Sequence, residues 1–148
     1  MLASWNNVLV NEWRGRVTAE LLHAIEPLQK HMIAAYPGGY GSLAIISSAS
    51  LSLDDNARKE AGRLARASQH VLKANAHLVE GAGFRLSVIR SVITAVHAVT
   101  AQTTGTKVFS TLTKTCKWLV ETIQPVTAVR LDAVVLEREI VRARAARS

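Results

Sequence analysis

Short apolar runs alternate with longer stretches of helical periodicity along this chain. Val8-Leu9-Val10, followed by Glu12-Trp13-Arg14-Gly15, reads as a β-strand rich in β-branched and aromatic residues and closed by glycine. Thr18 then stands as a helix N-cap. Leu21, Leu22, Ile25, Leu28, Met32 and Ala35 follow three or four apart and predict one helix from Ala19 to Tyr36, kinked at Pro27. Tyr36-Pro37-Gly38-Gly39-Tyr40-Gly41 breaks the pattern, and Leu43-Ala44-Ile45-Ile46 has the continuous apolar character of a strand covered on both faces.

A serine-rich loop, Ser47 to Ser52, leads to Asp54-Asp55, an acidic helix start. From there to Lys73, Ala57, Ala61, Leu64, Ala65, Ser68 and Val71 share one side, with Arg58, Lys59, Arg63, Arg66 and Lys73 mainly elsewhere. His77-Leu78-Val79 predicts a third strand ending at Glu80-Gly81-Ala82-Gly83, and Phe84 to Ala101 a third helix. Thr106 to Phe109 predicts a fourth strand, and Leu112 to Ile123 a fourth helix stopped by Pro125. A fifth helix is expected from Val126 to Arg147. Alternation of this kind predicts an α/β domain over residues 1–124, with a mostly parallel sheet of about four strands and helices packed on it. Residues 125–148 would form an extra amphipathic helix.

Composition agrees with a packed domain: 148 residues, 49% hydrophobic and 20% charged, is not a disordered mixture. A net charge of +7 admits nucleic acid, an acidic membrane surface or an acidic protein as partner. The basic residues are dispersed over several segments, which argues against nucleic acid. Cys116 is the sole cysteine, so neither an internal disulfide nor a cysteine-rich metal site is available. The N-terminus lacks the basic-then-apolar order of a secretory signal, and Arg90 and His97 interrupt the longest apolar stretch, Val88 to Ala101. The expectation is a cytoplasmic protein.

Catalytic machinery is not visible. His23, His31, His70, His77 and His97 show no paired metal-ligand spacing. Cys116 shares a helical face with Leu112 and Leu119 and reads as a small core residue. No Gly-x-Ser-x-Gly elbow, phosphate-binding P-loop or dinucleotide glycine pattern occurs, so no catalytic residue, cofactor or metal is expected. Two features remain as candidate binding elements. The loop Glu80, Gly81, Gly83, Phe84, Arg85 can present backbone N–H groups and an arginine to an anion or partner, or can simply be the turn its topology requires. The C-terminal stripe Val129, Ala133, Leu136, Ile140 has to bury itself on its own domain, on a second subunit or on a membrane. Acidic residues at 132, 137 and 139 dilute its basic flank and argue against the membrane. It is a candidate assembly helix.

In order and spacing, three segments resemble the SpoIIAA-like branch of the STAS superfamily, typified by anti-sigma-factor antagonists. They are Val8-Leu9-Val10 with Arg14 to Thr18, Lys73 to Gly81, and above all Val108-Phe109-Ser110-Thr111 leading into a helix with Trp118-Leu119. The resemblance spans Val8 to Glu121. It implies a compact domain, with helices on one side of a small sheet, that acts by binding. Switched members carry a Ser or Thr in the loop that corresponds to Glu80 to Phe84, where this chain has none, so their phospho-switch is not carried over. The function expected is a non-enzymatic regulatory or scaffolding protein-interaction domain, self-associating or binding a partner protein. The alternative is a carrier of a lipid or small apolar ligand.

Overall fold

The computed structural model describes residues 1–47, 52–81 and 105–146. Its elements are β1 (Leu2–Trp5), β2 (Val8–Trp13), β3 (Arg16–Val17), α1 (Ala19–His23), α2 (Glu26–Ala35), β4 (Tyr40–Ile46), β5 (Ser52–Leu53), α3 (Asp55–Ser68), β6 (Leu72–Val79), β7 (Gly105–Phe109), α4 (Leu112–Thr127) and α5 (Ala133–Ala145). The helix expected over Phe84 to Ala101 lies outside the described residues.

The main sheet has strand order β1-β2-β4-β6-β7, parallel throughout except for the antiparallel β1–β2 hairpin. It thus has five strands rather than four. The additional one precedes Asn6-Asn7, where Asn6 takes a positive φ of 46° that lets the chain reverse within two residues. A small parallel pair, β3–β5, lies apart from it.

Alternation along the strands divides the core into two layers. Val8, Val10, Leu43, Ile45, Ala74, Ala76 and Leu78 face Cys116, Leu119 and Ile123 of α4 and Leu136 and Ile140 of α5. Leu9 points the other way, to Met32 of α2, while Trp13 packs by Val17, Leu22, Ala57 and Leu64. Helices therefore cover both faces, which corrects the one-sided arrangement that the resemblance implied. The crossovers β2→β4 and β4→β6 run in one direction with one hand, so α1, α2 and α3 share a face. α4 follows the last strand of the row and turns back over the opposite face.

Several boundaries differ from the sequence reading. The helix expected to reach Lys73 ends at Ser68, and the strand expected from His77 already begins at Leu72, so Val71 lies between the two elements. The first helix is two, because Pro27 lies in the first turn of α2, where its missing N–H removes a donor that had no intrahelical partner. Pro125 does not stop α4, which runs on to Thr127, with Thr122 Oγ1 and Thr127 Oγ1 donating to Trp118 O and Ile123 O at 2.7 Å. The last helix begins at Ala133 rather than Val126, where Asp132 caps it by accepting from Val134 N and Val135 N. Between them, Ala128 holds the left-handed C-cap conformation, φ 57°. A Cβ disfavours that conformation by roughly 1 kcal/mol, so Ala128→Gly is expected to raise the urea midpoint by about that much stability. An unchanged or lower midpoint would show that the cap is not strained.

Candidate functional site at the carboxyl edge of the sheet and the C-terminal helix

Parallel strands bring their carboxyl ends to one edge, where open sheets of this kind present ligands. Three strands deliver polar side chains there: Glu12 near the end of β2, Ser47 just after β4 and Glu80 just after β6. Backbone bonds extend the ladder to this point, with Ser47 N donating to Trp13 O and Glu80 N to Ile46 O. Strand alternation places Glu12 on the same inward face as Val8 and Val10, and its side chain is only 2% exposed. A carboxylate so buried requires a partner.

α5 supplies it. Arg144 continues the four-residue spacing of Leu136 and Ile140 and so arrives on the same helical face. Its guanidinium donates to Glu12 Oε1 at 3.0 Å, to Glu80 Oε2 at 2.7 Å and to Glu80 Oε1 at 2.8 Å. Ser47 Oγ donates to Glu12 Oε1 at 2.8 Å and lies 3.3 Å from Glu80 Oε2, while Arg14 reaches Glu12 from the solvent side at 3.2 Å. Burial pushes the Glu12 pKa up. The Ser47 hydroxyl, Arg144 and Arg14 together outweigh it and hold the carboxyl below its ordinary range. Bonds to Glu80 raise the Arg144 pKa. The cluster is thus a set of charges committed to one another, fastening the last helix to the sheet edge.

Of the loop candidates, Glu80 belongs to this cluster. Gly81 takes φ +128°, a conformation open to glycine, in keeping with a turn residue. Gly83, Phe84 and Arg85 lie outside the described residues. Of the assembly-helix candidates, Leu136 (0% exposed) and Ile140 (3%) close onto their own chain's core and Ala133 packs at its margin. Val129 is half-buried in the linker before α5. The stripe is therefore covered intramolecularly. The outer face of the same helix carries Val134 and Val141, 74% and 53% exposed, with Val126 of α4 at 59%.

Glu12, Ser47 and Arg144 were missed as a set by sequence reasoning. The available signals were a charged residue at an inward strand position and an arginine in phase with Leu136 and Ile140.

Cys116 is fully buried, and that burial, aided by the Glu137 charge, pushes its thiol pKa up to about 12. Among the described residues, His23, Glu26 and Glu60 could converge on a cation. The Arg63 guanidinium already bridges the two carboxylates at 2.6 Å each and holds Glu26 at a pKa of about 2. Also among the described residues, no helix is long and apolar enough to cross a membrane.

A five-stranded, mostly parallel sheet closed by C-terminal helices in this order is a SpoIIAA-like α/β fold. Among solved structures, the chain is similar to an uncharacterized protein of the DUF3478 family with a SpoIIAA-like fold from Shewanella loihica PV-4. Identity is 18% and the TM-score 0.56, with 80% of this chain and 90% of that chain covered. No family model matches the sequence, and no curated protein does.

Proposed function

We propose that this chain is a non-enzymatic interaction domain that engages a protein partner through the outer face of α5. The observation that carries the reading is the pair Val134 and Val141, both more than half exposed and seven residues apart on one side of a helix whose other side is sealed in the core. Single apolar residues on a surface are ordinary. Two in register on a helix held in place by Arg144 form a small docking face. Carriage of an apolar molecule between helices and sheet would need room, and at Gly41 α4 lies close against the sheet. A Cβ added at Gly41 would stand 3.2 Å from Ile123 Cδ1 and 3.4 Å from Leu119 Cδ2.

Affinity capture from the source cell, with the Val134→Ser/Val141→Ser double variant as control, tests the reading. A stoichiometric protein retained by the native chain and lost with the variant is expected. No such protein on either bait, together with a monomeric solution mass up to high concentration, would overturn it.

A further inference from the structure

The face of α5 also states what kind of partner would fit, an inference that rests on the interaction reading above. Val134, Arg138, Val141 and Ala145 recur at spacings of four, three and four, the seam along which one helix packs against another. The Arg138 side chain, 69% exposed, stands between the two valines. Arg142 follows Val141 on the helix and Arg130 lies in the linker just before it, and among the described residues neither is ion-paired to a carboxylate.

The neighbouring acids are largely committed elsewhere. Asp132 caps the helix, and Glu137 accepts from Thr113 Oγ1 at 2.7 Å. Glu139, 33% exposed, lies 3.9 Å from Arg138 and offsets one of the three arginines. The free charge of the seam is therefore positive.

That charge also discriminates between occupants. A second copy packed about a two-fold axis, with Val134 against the other copy's Val141, would bring the two Arg138 side chains together at the axis. Like charges so placed are unfavourable. We propose that this seam takes an acidic amphipathic helix of a different protein, its apolar residues against Val134 and Val141 and its carboxylates near Arg130, Arg138 and Arg142. From Val134 to Ala145 the seam measures about 17 Å, roughly three helical turns.

The test uses the full ¹⁵N-labelled chain and two synthetic helical peptides identical in their heptad-spaced leucines, one flanked by glutamates and the other by lysines. The glutamate peptide is expected to shift amide signals of residues 130–145, with an affinity at least tenfold above that of the lysine peptide and falling with added salt. Arg138→Glu should reverse that preference, and Val134→Ala/Val141→Ala should weaken the glutamate peptide about tenfold while leaving the fold intact. Equal affinity for both peptides, shifts confined to other elements, or no binding would overturn the acidic-helix proposal. A concentration-dependent dimer abolished by Val134→Glu would also overturn it, yet leave the interaction reading standing. If neither peptide binds, the chain remains monomeric and the valine variants change nothing in the capture experiment, both fall.

Discussion

A chain ending at Gln124 is expected to lose its cooperative unfolding transition. The sequence pattern presents the last helix as an appendage, but Leu136 and Ile140 are 0% and 3% exposed and share one cluster with Val8, Val10, Leu43, Ile45 and Leu78. Truncating a buried Leu or Ile to Ala costs about 2–5 kcal/mol, so losing two approaches the roughly 5–15 kcal/mol by which a whole domain is stable. The same cut removes the last turn of α4, including Thr127, whose hydroxyl accepts from Asn7 Nδ2 at 3.1 Å, and leaves Glu12 without Arg144. Two point variants refine the expectation. Leu136→Ala should cost about 2–5 kcal/mol, whereas Val134→Ala, two residues away and outward, should stay within about 0.5 kcal/mol. Urea unfolding followed by circular dichroism measures all three. A truncated chain that unfolds cooperatively near the full-length midpoint would make α5 an appendage after all.

Replacing Arg144 by alanine should have the next largest effect. It strands the Glu12 carboxylate, 2% exposed, with Ser47 and the exposed Arg14 for company. Breaking a buried pair costs about 3–5 kcal/mol. Because Arg144 is itself 26% exposed, about 2 kcal/mol is expected at pH 7.

The pH dependence follows from the direction of the Glu12 shift. In the native protein its folded pKa lies below its unfolded one. Its stabilisation is therefore present above about pH 4.5 and lost as pH falls through the folded value. Without Arg144, burial dominates and the folded pKa moves up, so protonation relieves the variant. The stability gap between native chain and Arg144→Ala should narrow between pH 7 and pH 4, and Glu12→Gln in the variant background should recover part of the loss at pH 7. A gap that stays constant or widens on acidification would mean that Glu12 is not the group Arg144 neutralises.

β2 and β4 were legible as apolar runs bounded by glycine and polar breaks, and β6 and β7 through the shorter stretches His77-Leu78-Val79 and Val108-Phe109 at their carboxyl ends. β1 was not: four residues, with Ala3 and Ser4 in the middle, show no run and form a strand only by pairing with β2. The helix over Ala19 to Tyr36 kept its apolar phase across Ala24 and Ile25, so periodicity could not reveal the division into α1 and α2. Pro125 looked like a stop because proline usually is one; it costs α4 the bond its N–H would have given to the Glu121 carbonyl, and the helix continues only two residues past it.

The candidate site was legible only as fragments. Glu80 stood out for its place at a strand end, and Leu136 and Ile140 for their spacing. That these fragments meet depends on contacts 64 and 132 positions apart, Arg144 with Glu80 and with Glu12, which no local pattern encodes.

By itself, then, the sequence determined the fold class, the four parallel strands and which residues of the last helix are apolar, because period and composition are local properties of the chain. Tertiary structure alone decided that the apolar stripe of that helix is spent on its own core and that Arg144 closes the sheet edge. It thereby decided which face, Val134 and Val141, is left outward. The physical reason is that an amphipathic helix buries its apolar side on whatever apolar surface lies within reach. Only the assembled sheet, with α4 turned back over one face, puts that surface beside α5.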